Sequence, residues 1–366
     1  MKKAIIISYY EWYEKRLKYL KMELINNQFE VKYFTANFNH HKKEKITKKD
    51  DDKIYIDVPI YKKNISLKRI ISLVVFSNKV TRLIKREQPD LVYCIIPPNY
   101  LSKKVSNLKK QLEFKLIYDV IDMWPESLPI NFLKDTFIFK SWRNLRNNIS
   151  FADYVVTECD RYQEVLNKTV IGSKLKTIRI ANNIDTTYIF DPLDKDILNL
   201  CYLGSINNII DINSIENLII KLQQYTKVQV HIIGDGENRE KLIRCIKDTG
   251  ATVQYYGKIF DENKKKEIFN KCHYGLNLYS TSTLIGLTIK SVDYLSAGLP
   301  VINNIDGDTR YIIEKYRCGI NIDNINKNII YSNSDYKNHV RNVAISLFDE
   351  RIIKEQFHNI VELVDM

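Results

Sequence analysis

The chain alternates short apolar runs with longer segments in which apolar residues recur every three or four positions. The first pattern predicts buried strands and the second amphipathic helices, so the alternation predicts parallel sheets with crossover helices. Ala4–Ser8 reads as the first strand and 11–27 as the helix behind it. Strands at Glu30–Thr35 and Ile54–Val58 follow, separated by a Lys- and Asp-rich loop over 39–52. A helix over Leu67–Glu87, the strand Leu91–Ile96, a helix over Tyr100–Leu112 and the strand Lys115–Val120 continue the series. After the loop 122–127 come a basic, aromatic helix over 131–148, the strand Tyr154–Thr157 and a strand-like run over 176–181.

Asn182-Asn183-Ile184-Asp185, followed by Asp191-Pro192, reads as a hinge, and the alternation then restarts. Strands are expected at Leu198–Leu203, Gln229–Ile233, Thr252–Tyr256, Gly275–Tyr279, Val301–Asn303 and Gly319–Ile322, with two closing helices reaching about Val364. At 366 residues the chain is long for one core and ordinary for two. The expected class is α/β, with two Rossmann-like domains and an interdomain cleft. The N-terminal domain is placed at 1–185 and the C-terminal one at 186–347, with the last helix, about 348–366, packing back on the first.

The stretch from Tyr279 to Gly307 holds the densest candidate chemistry. A polar, Gly-containing loop opens a helix at about Leu287, with Lys290 and Asp293 in its first two turns. Backbone N–H groups around Gly286, Leu287 and Thr288 and the positive helix end suit a phosphate. Lys290 adds a point charge, and Asp293, on the same face, suits a ribose diol. An ordinary Gly-capped helix with a surface Lys and Asp fits the same local pattern. Ile233-Gly234-Asp235-Gly236, Leu203-Gly204-Ser205 and Tyr256-Gly257-Lys258 are three further strand-end glycine turns, each weak alone. The first is no dinucleotide fingerprint, because the third glycine is missing. Together all four would lie at the carboxyl edge of one parallel sheet, where ligands bind in open α/β folds.

In the first half, Asp119, Asp122 and Glu126 gather around Trp124-Pro125 after one strand. Carboxylates there suit a general base or an acceptor for sugar hydroxyls, and a capped loop around a buried Trp fits equally. His40 and His41 sit in a charged loop and are expected to be solvated. No Ser-His-Asp signature or metal-ligand spacing is present, so neither metal nor cofactor is expected. The six cysteines are scattered and read as small buried hydrophobes in a reducing cytoplasm. No apolar run is long enough to span a bilayer, and the N-terminus shows no signal-peptide pattern.

Charge is unevenly placed. Residues 1–185 hold 35 Lys and Arg against 21 Asp and Glu, and the remainder 21 against 23. Nucleic acid, an anionic membrane face or a phosphate-bearing substrate each fits a basic N-terminal half. The segments 67–86 and 131–151 interleave apolar and basic residues, which fits an anionic membrane interface or a helix with one face in the core. No basic recognition helix or aromatic single-strand platform is recognisable, so nucleic acid is the weaker partner.

These residues also resemble a known family. Asn182-Asn183-Ile184-Asp185, Tyr202-Leu203-Gly204, Ile233-Gly234-Asp235-Gly236-Glu237, Tyr256-Gly257, Lys290 to Tyr294 and Gly298-Leu299-Pro300-Val301 match, in order and spacing, the retaining glycosyltransferases of family 4, of GT-B fold. Asp122-Met123-Trp124-Pro125-Glu126-Ser127 is similar to the signature of bacterial capsule, exopolysaccharide and O-antigen members. The resemblance implies a nucleotide-sugar donor on the C-terminal domain, against Gly204, Ser205, Gly234, Asp235, Gly236, Tyr256, Gly257 and Lys258. The ribose would lie on Asp293 and the diphosphate at Gly286–Lys290. It implies a lipid-linked saccharide acceptor near Asp122, Trp124 and Glu126, with Asp122 and Lys290 as the catalytic candidates. It also implies a cytoplasmic protein peripheral to an anionic inner-membrane surface. Two departures stand out: Ile285 occupies the place of a sugar-holding glutamate, and Ser205 that of a phosphate-binding arginine. They leave room for a non-catalytic partner subunit of another transferase, or for a nucleotide-sugar epimerase.

Overall fold

The computed structural model describes residues 1–64, 66–128, 130, 133–280, 283–325 and 333–365. The chain forms two compact units, Met1–Ala181 with Ile353–Met366, and Asn182–Ile352.

The first unit is built on a sheet of order β3-β2-β1-β4-β5-β6-β7 with every pairing parallel. Its strands are β1 (Lys3–Ser8), β2 (Glu30–Ala36), β3 (Ile54–Ile56), β4 (Leu91–Ile96), β5 (Lys115–Val120), β6 (Tyr154–Thr157) and β7 (Leu175–Thr177). The crossovers include α1 (Glu14–Asn26), α2 (Leu67–Glu87), α3 (Asn99–Lys109), α4 (Phe137–Arg146) and α5 (Asp160–Leu166). Both faces of β4 are buried, as expected of a strand with helices on either side.

The second unit has the order β10-β9-β8-β11-β12-β13, again all parallel. Its strands are β8 (Ile197–Leu203), β9 (Lys227–Ile233), β10 (Thr252–Gly257), β11 (Tyr274–Asn277), β12 (Val301–Asn303) and β13 (Gly319–Asn321). Its helices are α6 (Ile212–Leu222), α7 (Arg239–Asp248), α8 (Glu262–Lys271), α9 (Ile289–Ser296), α10 (Asp308–Tyr316) and α11 (Ser334–Phe348). The last helix, α12 (Glu350–Asp365), sets Ile353, Phe357, Ile360, Val361 and Val364 into the first unit's core beside Leu20, Tyr33 and Ile95. In each sheet the strand order reverses at the first strand of the unit, between β1 and β4 and between β8 and β11.

Several elements differ from the sequence expectation. The run over 176–181 pairs only to Thr177, because Arg16 Nη1 takes the carbonyls of Ile178 (2.7 Å) and Arg179 (3.2 Å). The helix expected over 131–148 is α4, started by Thr136 Oγ1 accepting from the Phe139 amide; residues 131 and 132 lie outside those described. α9 starts at Ile289, two residues later than expected, because Thr288 caps it.

Candidate functional site

In the second unit the glycine turns are laced together by their backbones. The Gly204 amide donates to the Ile233 carbonyl (2.9 Å), Gly234 to Gly257 (2.7 Å) and Ile206 to Asp235 (3.0 Å). This explains the glycines. A Cβ on Gly234, at φ 147°, would lie 1.9 Å from the Gly204 carbonyl oxygen, and one on Gly236 2.3 Å from that of Ile206. Around the Gly204 Cβ position, by contrast, the space is open. Gly204, Gly234, Asp235, Gly236 and Gly257 are thus gathered at the carboxyl edge of β8, β9 and β10. Ser205 and Lys258 are exposed beside them. Tyr256 turns inward: its hydroxyl meets His231 Nδ1 (2.9 Å), whose Nε2 meets Asn199 Oδ1 (3.0 Å). Burial and then Lys271 push His231 down to about 4, so that imidazole is neutral.

The loop before α9 is fixed from three sides. Thr288 Oγ1 accepts from the Ser291 amide (3.0 Å), and Ser291 Oγ accepts from the Thr288 amide, a reciprocal cap. Thr288 Oγ1 also donates to Asn277 Oδ1 at the end of β11 (2.8 Å). The Gly286 carbonyl accepts from the Thr309 amide (3.0 Å) and hydroxyl (3.1 Å) of α10. Leu287 is buried under this loop. The amides of Ile289 and Lys290, the first of the helix, take no protein partner among the described residues.

Lys290 stands out. Its ammonium lies between two aromatic faces, 4.1 Å from the Tyr279 ring centroid and 4.7 Å from that of Tyr202. It makes no hydrogen bond or ion pair among the described residues, although the residue is only 7% exposed. Burial pushes its pKa from 10.5 down to about 7. Asp293, one turn on, accepts from Asn182 Nδ2 (3.2 Å) and is half-buried. A buried cation resting on aromatic rings, with two orphan amides next to it, is a preformed place for an anion.

In the first unit, Asp122 follows β5 and accepts from Trp124 Nε1 (2.7 Å) and Ser127 Oγ. Burial raises its pKa against those two hydrogen bonds. Glu126 is anchored by two arginines of α4: Arg146 Nη1 donates to Oε2 (2.6 Å) and Arg143 Nε to Oε1 (2.7 Å). Asp119 does not join them. It is fully buried, bidentate with Arg16 (2.7 and 3.0 Å) and bonded to the Tyr93 hydroxyl (2.7 Å), so it serves the core. His40 is likewise buried, not solvated, with Nδ1 on the Tyr61 hydroxyl.

The sequence reading missed Glu158, directly after β6. Burial pushes it up to about 8, and no hydrogen bond holds it among the described residues. The Val120–Thr157 register brings it level with the start of the Asp122 loop. Its place one residue past a strand was the available signal. Nor did it assign the Tyr202 and Tyr279 rings a place around Lys290.

A cavity of about 550 Å³ opens at the opposite, amino-terminal edge of the first sheet, lined by Lys2, Phe29, Asp90 and Lys109 among others. Lys109 there is spent on Asp153 (2.6 Å).

No family model matches the chain. It is 25% identical over 213 residues to the poly(glycerol-phosphate) alpha-glucosyltransferase of Bacillus subtilis (strain 168), a match covering 49% of this chain and 30% of that protein. The chain therefore spans about a third of that relative. Among solved structures it is similar to the sucrose-phosphate synthase of Thermosynechococcus elongatus, with TM-score 0.72 and 12% identity over 100% of this chain and 99% of the other. It is similar to the lipopolysaccharide outer core galactosyltransferase WaaB, with TM-score 0.69 and 17% identity over 99% of both chains. Anabaena Alr3699/HepE in complex with UDP-glucose matches with TM-score 0.66 and 13% identity, over 99% of this chain and 100% of the other. The fold is the two-sheet α/β architecture, GT-B, that these transferases share.

Proposed function

We propose that this chain is a glycosyltransferase that moves a sugar from a nucleotide-sugar donor on the second unit to a saccharide acceptor on the first. The observation that carries the proposal is the buried Lys290 ammonium beside the first amides of α9, both without a hydrogen-bond partner among the described residues, at the edge where the glycine turns converge. When the glycosyl bond breaks, negative charge grows on the leaving diphosphate. A lysine held there in advance, with N–H groups, stabilises that charge without reorganising. Asp293 orients the ribose. On the acceptor side Asp122, fixed by Trp124 and Ser127, accepts from the sugar hydroxyl that attacks. Positive charge comes from Lys290 and the amides, so the reading invokes no metal.

The finer parts of the proposal are retention of anomeric configuration, a lipid-linked acceptor, a role in bacterial surface polysaccharide synthesis, and peripheral contact with an anionic inner-membrane face. The basic first unit supports the last, as do exposed Leu67 (78%) on α2 and Phe137 (83%) and Ile138 (65%) on α4. No described helix is long and apolar enough to cross a membrane. The relatives' own names supply the chemical precedent: UDP-glucose in one, a galactosyl and a glucosyl transfer in two others.

A thermal-shift panel of UDP-, GDP-, CMP- and dTDP-sugars tests the donor half, since a ligand that binds only the folded state raises its melting temperature. One nucleotide class is expected to stabilise the wild type and not Lys290→Ala. Failure of every nucleotide sugar at millimolar concentration would favour a non-catalytic subunit.

A further inference from the structure

The carboxyl edge of the first sheet carries a second cationic centre. Tyr10 follows β1, His40 and Lys43 follow β2, Trp124 follows β5, and Arg69 stands in the first turn of α2. The Arg69 guanidinium lies 4.5 Å from the Trp124 ring and 5.8 Å from that of Tyr10. Its Nη2 donates to the Tyr10 hydroxyl (2.7 Å) and its Nη1 to the Asn64 carbonyl (2.7 Å). Its Nε is buried with no hydrogen-bond partner among the described residues. Lys43 Nζ donates to Asn64 Oδ1 (2.5 Å) and stands 5.2 Å from the Tyr61 ring and 3.3 Å from His40 Nε2.

Neither cation is ion-paired among the described residues. The carboxylates nearby make their hydrogen bonds elsewhere: Glu11 Oε1 accepts from the His40 amide (2.8 Å), its Oε2 being buried without a hydrogen-bond partner among the described residues, and Asp122 is held by Trp124 and Ser127. Burial, then Lys43 and Arg69, push the His40 imidazole down to about 3, so it stays neutral and adds no third charge. Two part-buried cations with no direct ion pair among the described residues keep donor capacity that an anion can complete. The guanidinium's planar fork suits phosphate, and the Trp124 and Tyr10 rings suit the apolar face of a sugar.

We propose that this edge binds a phosphate group carried by the acceptor, held by Arg69 and Lys43, with the acceptor sugar lying toward Asp122. The proposal rests on the transferase reading and adds the acceptor's charge class to it. The phosphate belongs either to a soluble sugar phosphate or to a lipid headgroup at a membrane surface.

Calorimetric titration with glucose 1-phosphate and with glucose tests the first source. Co-sedimentation with vesicles of phosphatidylglycerol in phosphatidylcholine, against phosphatidylcholine alone, tests the second. The proteins are the wild type, Arg69→Gln, Arg69→Lys, Lys43→Asn and Lys290→Ala. Lys43 sits at φ 60°, which asparagine adopts readily, so Lys43→Asn removes the charge without backbone strain. A phosphate-bearing ligand in one arm is expected to bind the wild type, and binding that persists in Lys290→Ala is binding outside the second unit's anion site. The same ligand should bind Arg69→Gln and Lys43→Asn about tenfold or more weakly, consistent with the loss of a charge-assisted bond. Arg69→Lys should recover part of the loss. Equal binding of glucose and glucose 1-phosphate, with no preference for anionic vesicles, would overturn the proposal. So would wild-type binding by both Arg69→Gln and Lys43→Asn. The UDP-, GDP-, CMP- and dTDP-sugar panel run on the same samples keeps the two readings apart: failure of every nucleotide sugar strikes the donor assignment and leaves the phosphate site standing on its own data.

Discussion

Donor binding should pull a proton onto Lys290. The gap between the ordinary 10.5 and about 7, at about 1.4 kcal/mol per pK, is about 5 kcal/mol of charging penalty in the empty protein. An anion at close range offsets that penalty. The other titratable groups around the ammonium, Cys201, Tyr202 and Tyr279, are all raised by burial and stay neutral near pH 8. At pH 8.5 the free amine is therefore mostly unprotonated, whereas beside a diphosphate it is protonated. Binding of UDP-glucose, or of whichever nucleotide sugar the panel selects, should take up about 0.9 proton. Its affinity should fall by up to about tenfold per pH unit above 7. Calorimetry in buffers of different ionisation enthalpy reads the proton number as a slope. A nucleotide diphosphate sugar is the right ligand because its phosphates do not titrate in this range. The slope should vanish in Lys290→Met. The same substitution should raise the melting temperature of the empty protein at pH 7, because the folded lysine binds protons less well than the unfolded one. That stabilisation should fade as pH rises through about 7 toward 10.5. A zero slope in the wild type, or an unchanged slope in Lys290→Met, would refute the reasoning.

Three further outcomes follow from the geometry. Gly234→Ala must place a Cβ 1.9 Å from the Gly204 carbonyl at φ 147°, so it should cost about 2 kcal/mol or more in chemical denaturation. It should also weaken donor binding; an unchanged midpoint would mean the turns are not locked together. Glu158→Gln should raise the melting temperature at pH 8 to 9 and lose that advantage as pH falls toward 4.5. A carboxyl raised to about 8 by burial stabilises below its unfolded value and destabilises once it must ionise, so a pH-independent difference would contradict its burial. Asp122→Asn keeps an acceptor for Trp124 Nε1 and should melt within a few degrees of the wild type, yet lose most of its turnover in a transfer assay.

Much of this architecture is legible in the periodicity. Continuous apolar runs such as Leu91–Ile96, bounded by Pro89 and Pro97, specify a strand buried on both faces, and their alternation with helical segments specifies parallel order. The capped loop before Lys290 is also local, because Thr288 and Ser291 are three residues apart. What sequence could not show is which way long side chains turn. Asp119 and Asp122 look equivalent in the chain, but successive strand positions face opposite layers, and Asp119 meets Arg16 from 103 residues away. His40 reads as solvated in a loop of lysines, yet Tyr61 and Tyr10 close over it from other elements. Lys290 was legible as a cation, not as one wedged between rings from β8 and the loop after β11. Such cages are made by tertiary packing, which periodicity does not encode.

The most direct measurement is transfer itself: a labelled sugar from the nucleotide donor selected by thermal shift, offered to bacterial membranes and soluble saccharides, with wild type, Lys290→Ala and Asp293→Ala run side by side. The expected result is turnover by the wild type that drops about a hundredfold or more in Lys290→Ala and clearly in Asp293→Ala, with both variants still folded. Full turnover in both variants would contradict the donor site built here.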